Sequence, residues 1–161
     1  FDVSGMEPQL ACPHSVDNVD TLAHVTANRE IKLNQGYIGS CTGGREEDIA
    51  VAARIVKGRH IPPYSRLVVV PASSEVMLSC MEKGYIQDLM NAGATITTPG
   101  CGACLGAHEG IIAPGETCIS STNRNFPGRM GSNQASIYLA SPATVAASII
   151  NGRITDPRDY L

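Results

Sequence analysis

An α/β fold with a mostly parallel sheet is predicted by three observations. Short apolar runs alternate along the chain with segments of helical length, which is the pattern of layered α/β domains. The run from Arg66 to Val70 is β-branched and apolar without alternation, as expected of a strand buried on both faces. Glycine or proline stands at most of the boundaries between these segments.

Taken in order, Gly36 to Ile38 is a short apolar strand. Arg45 to Lys57 reads as a helix, with Glu46, Glu47 and Asp48 in its first turn, where the helix dipole favours negative charge. Its apolar face is Ile49, Ala52, Ala53 and Val56, and Gly58 stops it. After the strand at Arg66 to Val70, Ser73 or Ser74 caps a helix that runs to Lys83 and ends at Gly84. A second short helix spans Tyr85 to Asn91 and stops at Gly93. Ala94 to Thr97, Thr117 to Ser120 and Ser136 to Ala140 are strands, and Ser141-Pro142 opens a last helix through Ile150, with Gly152 behind it. The first thirty residues and the last nine read as irregular, so residues 1–35 are expected to be a lead-in from an upstream domain. The domain proper is placed at 36–161. Because the chain starts at Phe1, it is expected to be a piece of something longer.

Composition excludes several classes. With 12 Lys and Arg against 15 Asp and Glu, a net charge of -3 and no basic run, nothing points to nucleic acid or an anionic membrane. No apolar stretch is long enough to span a bilayer and no signal peptide is visible. Six cysteines in 161 residues do not resemble a disulfide framework, so a reducing, cytoplasmic setting is expected.

The cysteines carry the chemistry. Cys101 and Cys104 stand in C-x-x-C spacing, and Cys41 lies sixty residues upstream in Gly39-Ser40-Cys41-Thr42-Gly43-Gly44. Three thiols suit a metal centre with one position left open, since closed zinc sites and fully ligated clusters take four protein ligands. A redox pair, a zinc site completed by His108, and unliganded thiols are the alternatives the spacing leaves open. Phosphate loops are set aside: Gly39 to Gly44 lacks the Gly-Lys-Ser/Thr ending, and Gly100, Gly102 and Gly106 miss the dinucleotide spacing by one residue. His14, His24 and His60 have no partner motif. If the strands before Cys41, Cys101 and Asn123 run parallel, these three loops meet at the carboxyl edge of one sheet, where open α/β sheets place ligands. Arg124 and Arg129 add guanidinium groups suited to clamping carboxylates, and Asn123 adds an amide that can donate to sulfur.

Four ordered motifs resemble the aconitase superfamily: Gly39-Ser40-Cys41-Thr42, Pro99-Gly100-Cys101-Gly102-x-Cys104-Leu105-Gly106, Asn123-Arg124-Asn125-Phe126-x-Gly128-Arg129 and Ser141-Pro142-Ala143-Thr144. Within it they resemble the large subunits of 3-isopropylmalate dehydratase and homoaconitase of the archaeal type, where Gly106-Ala107-His108-Glu109-Gly110 also belongs. The resemblance implies a three-layer α/β/α domain of the aconitase iron-sulfur type. It implies a 4Fe-4S cluster held by Cys41, Cys101 and Cys104, with Asn123 in contact with it and Arg124 and Arg129 on substrate carboxylates. The activity implied is hydro-lyase chemistry on a hydroxy di- or tricarboxylic acid, as in leucine biosynthesis. Homoaconitase-like or dimethylmalate dehydratase-like subunits, or a non-catalytic iron-sulfur domain, are the alternatives. The partners implied are the remaining large-subunit domains and a small swivelling subunit, with no catalytic base in this chain and no turnover by the chain alone. Cys12, Cys80 and Cys118 match no ligand position, and Cys80 and Cys118 read as packing residues. One departure stands out: Gly43 occupies a position where the family usually has Asn.

Overall fold

A computed structural model describes Asp2 and residues 4–161. The strands are β1 (Gln9–Ala11), β2 (Val19–Thr21), β3 (Gln35–Ile38), β4 (Arg66–Val69), β5 (Thr95–Ile96), β6 (Thr117–Ser120) and β7 (Ser136–Leu139). The helices are α1 (Leu22–Thr26), α2 (Glu46–Val56), α3 (Ser74–Glu82), α4 (Tyr85–Asn91) and α5 (Pro142–Asn151). Two 3-10 helices complete the set, at Gly102–Leu105 and Pro157–Tyr160. The strands form one sheet in the order β2-β1-β7-β6-β3-β4-β5. β7, β6, β3, β4 and β5 are parallel, and β1 is antiparallel to β2 and to β7.

The α/β class and the mostly parallel sheet are as the sequence predicts, and α4 and β6 have the predicted limits. The lead-in is not irregular. Residues 9–26 form β1, β2 and α1, and β1 joins the common sheet beside β7. The closing residues are likewise ordered by Asp156, whose carboxylate accepts the Arg158 amide at 2.9 Å and starts a 3-10 turn. Short strands such as β1 carry too few residues for their alternation to be visible, and pairing with β7 supplies their stability.

Each central strand divides its side chains between two cores. Ile38, Leu67, Val69 and Ile119 pack against residues of all five α-helices, including Leu22, Ile49, Cys80, Leu89 and Val145. Tyr37, Val68, Val70, Cys118 and Ile137 face the other way, onto Ala103, Cys104, Ile112, Met130 and Ala135. The outer layer on that second face is therefore built from loops and the Gly102–Leu105 3-10 turn rather than from α-helices. Two right-handed steps, from β3 to β4 and from β4 to β5, put α2, α3 and α4 together, and the return from β5 to β6 must then cross the opposite face.

Helix ends follow the sequence signals. The Ser73 hydroxyl accepts the Val76 amide at 3.3 Å, the Ser141 hydroxyl accepts that of Thr144 at 3.2 Å, and Pro142 occupies the first turn of α5. The helix closes at Gly152, whose φ of +65° is one that glycine adopts without strain.

The return loop is tied down at the amino end of the sheet. Arg66 donates to both oxygens of Glu116 at 2.8 and 2.6 Å, and its Nε donates to the buried Gln35 at 2.6 Å. The Gln35 amide then donates to the Gly110 carbonyl at 2.7 Å. Arg66 thereby holds the Glu116 carboxyl below its usual pKa. A carboxyl so held contributes stability above the unfolded value of about 4.3, and that contribution is lost as the pH falls through the folded value. Glu116→Gln should therefore cost about 1 kcal/mol in urea unfolding at pH 7, the pair being partly solvated. The deficit should shrink as the pH falls past the unfolded value and on through the lower folded one, where the wild-type carboxyl is itself protonated.

Candidate functional site

Parallel pairing sends the exits of β3, β5 and β6 to one edge. Cys41 lies three residues beyond β3, Cys101 follows β5, and Asn123 follows β6. Cys41 and Cys101 are exposed, whereas Cys104 is buried inside the Gly102–Leu105 turn. That turn sits over Tyr37, a fully buried side chain of β3 whose hydroxyl donates to the Cys101 carbonyl at 3.4 Å. Burial pushes the Tyr37 hydroxyl above the usual phenol pKa, so it remains a neutral donor.

The Cys41 loop and the Asn123 loop are laced together. Ser121 Oγ accepts the Gly39 amide at 3.1 Å and donates to the Gly43 carbonyl at 3.0 Å. The Thr42 hydroxyl donates to Asn123 Oδ1 at 2.8 Å. A Cβ at Gly43 would stand 2.3 Å from the Ser121 carbonyl oxygen, so the departure from the family's Asn accompanies a loop pressed directly onto Ser121. Gly44 is as confined, with the Val70 carbonyl 2.3 Å and the Ser40 carbonyl 2.6 Å from where its Cβ would be.

The two arginines differ in setting. Arg124 is exposed and pairs with no carboxylate among the described residues. Arg129 is half-buried, donates from Nη2 to Cys104 Sγ at 3.7 Å and lies over the Phe126 ring at 5.7 Å. Its Nε is buried without a partner. A cation with an unused donor at this edge is placed to receive an anion.

The other predicted residues are placed as follows. His108 is exposed, with Nδ1 3.4 Å from the Glu109 carboxylate. Among the described residues no three His, Cys, Asp or Glu side chains converge tightly enough to hold a single metal ion, so the zinc arrangement completed by His108 gains no support. All six cysteines are free thiols. Burial pushes the Cys118 thiol up to about 12 and raises those of Cys80 and Cys12, so these three stay protonated at neutral pH. Cys80 and Cys118 belong to the two cores, as packing residues.

Several residues that shape the site have no role assigned from the sequence, although Thr42 and Asn125 stand within its motifs. Asn125 is fully buried and donates to the Cys12 carbonyl at 2.8 Å and the Ile137 carbonyl at 3.3 Å, pinning the β1–β2 hairpin beneath the loop that carries Asn123 and Arg124. Tyr37, Thr42 and Ser121 act through partners more than sixty residues away, which no local pattern reveals.

Comparison with known proteins adds the family. The sequence model of the Aconitase family (aconitate hydratase) matches residues 2–152. The chain is 52% identical over its whole length to "3-isopropylmalate dehydratase large subunit 2" of Archaeoglobus fulgidus, of which it covers 38%. It is 49% identical over 99% of its length to "Homoaconitase large subunit" of Thermus thermophilus, of which it covers 37%. It thus spans about two-fifths of the length of these relatives. Among the described residues no helix is long and apolar enough to cross a membrane.

Because backbone carbonyls crowd the Cβ position of Gly44, Gly44→Ala should cost about 1–3 kcal/mol in chemical unfolding through overpacking. Gly58→Ala is the control, with nothing within 4 Å of its Cβ position, although its φ of +71° adds a strain of about 1 kcal/mol.

Proposed function

This chain belongs to the aconitase family, and from that premise we propose that it is the cysteine-bearing part of a hydro-lyase large subunit. The family implies an iron-sulfur cluster. The chemistry of the donor set fits one: three thiols lie on loops of one sheet edge, and a guanidinium with an unpartnered Nε adjoins the buried one. We assign the ligands as Cys41, Cys101 and Cys104. A 4Fe-4S cluster with one iron lacking a protein ligand supplies Lewis acidity to the hydroxyl and carboxylate of a hydroxy acid, so that water can leave and return at the neighbouring carbon.

The chain's own residues bind and orient. Asn123 offers its amide as a donor toward sulfur, Arg124 holds a carboxylate from the exposed side, and Arg129 brings its cation to the same edge beside Cys104. The substrate class is a hydroxy di- or tricarboxylic acid. Relatives named for 3-isopropylmalate and for homoaconitate lie at nearly equal identity, and the side chains that distinguish them are assigned to the rest of the subunit. Turnover is assigned to the assembly of this domain with those parts and a small subunit in the cytoplasm. The observation that carries the reading is the placement of both cysteine loops and the Asn123 loop at the carboxyl edge of the parallel strands.

Anaerobic reconstitution with iron and sulfide should give visible absorption that Cys101→Ser abolishes and Cys80→Ser preserves. Equal loss in both variants would overturn the ligand assignment. In the assembled enzyme, Arg124→Lys should keep the charge but lose bidentate geometry, lowering kcat/KM by an amount equivalent to about 2 kcal/mol. Unchanged kcat/KM would remove Arg124 from the site.

A further inference from the structure

We propose that Asn125 is a positioning residue that sets where Arg124 stands at the cysteine edge, a role that rests on the assignment of Arg124 to a substrate carboxylate above. The loop that carries both meets the body of the protein unevenly. Asn123, Arg124, Phe126 and Pro127 are exposed, and Asn125 between them is fully buried. Its side-chain nitrogen lies 2.8 Å from the Cys12 carbonyl oxygen, 3.3 Å from those of Ser15 and Ile137, and 3.4 Å from that of Ala11. All four neighbours are backbone carbonyls, which accept and never donate, so the amino group and not the oxygen must face them. Oδ1 has no partner among the described residues, so the grip runs through the amino group alone.

The four carbonyls belong to separate pieces of chain. Ala11 and Cys12 lie at the exit of β1, Ser15 in the turn before β2, and Ile137 in β7. β1 meets β7 at a single register pair, Ala11 with Leu139, so the Asn125 amide also ties the hairpin to the sheet. Residues 9–21 thereby form the seat of the loop. Arg124 is one residue from this anchor and has no seat of its own, being exposed and paired with no carboxylate among the described residues. Arg129 does have one: it donates to Cys104 Sγ, lies over the Phe126 ring, and its amide donates to the Phe126 carbonyl at 3.1 Å. Neighbouring Cα atoms stay about 3.8 Å apart, so a shift of the Asn125 backbone carries Arg124 with it. Arg129 is held by contacts that do not pass through Asn125.

The test is a double-substitution cycle in the assembled enzyme, with kcat/KM expressed per cluster from the visible absorption. Asn125→Ala should lower kcat/KM roughly tenfold to a hundredfold, the scale of a misplacement of about 1 Å. In an Arg124→Ala background the same substitution should cost less than about twofold, whereas with Arg129→Ala the two losses should multiply. A purely structural role would lower kcat/KM by the same factor in every background. Unchanged kcat/KM in Asn125→Ala, an undiminished loss in the Arg124→Ala background, or losses that fail to multiply with Arg129→Ala would each overturn the positioning role, while a loss in Arg124→Ala alone keeps the substrate assignment standing. Unchanged kcat/KM in Arg124→Ala would overturn both. Should Asn125→Ala not fold, Asn125→Ser, which keeps one hydroxyl proton, is carried through the same cycle and judged by the same outcomes. Failure of both variants to fold would overturn the positioning role in favour of a scaffold one.

Discussion

The site depends on β3 being held in parallel register between β4 and β6. Gly36 stands opposite both Leu67 and Ile119, and Tyr37 opposite Val68 and Ser120. With that register, β3 delivers Cys41 to the same edge at which β6 delivers Asn123, and Tyr37 lies beneath the turn that carries Cys101 and Cys104. A shift of one residue would exchange Tyr37 with Ile38 between the two faces and remove the floor of the cysteine turn. Parallel pairing of separate segments requires crossovers, and the two halves of the structure are these crossovers: helical on one face, looped on the other.

How much of this was legible follows the range of each interaction. The helices were readable because their caps and apolar faces are local, as at Ser73, Ser141 and Ile49. The β3, β4 and β6 strands were readable because continuous burial leaves an apolar run. β1 and β2 were not, since three residues each give no period and their order comes from β7 and from Asn125, more than a hundred residues away. The candidate site was legible in its identities, through the cysteine spacing and the Asn-Arg-Asn-Phe motif. Its lacing was not, because Ser121, Thr42 and Tyr37 are ordinary residues until the fold brings their partners near. Nor could composition distinguish Arg124 from Arg129, which differ only in what each lies against.

The loop layer owes its order to polar fasteners as much as to packing. Gln35, Arg66 and Glu116 secure its amino-edge end, and Asn125 and Ser121 secure the end that bears the site. Such bonds are directional, so they fix backbone position in a layer that lacks helical repetition to do so. A buried core of Ile112, Met130 and Ala135 lies between the two sets of fasteners.

Because adjacent residues of one strand serve different cores, the two demands on this protein alternate along its backbone with a period of two. Ile38, Leu67 and Val69 answer to the helices, while Tyr37, Val68 and Val70 answer to the loops. Sequence drift at the first set is constrained by whether the chain folds at all. Drift at the second set can alter how the loops are seated over an intact scaffold. Two neighbouring positions in β3 thus face unrelated packing demands, and substitutions in the sheet can retune the loop layer without touching a residue of the candidate site.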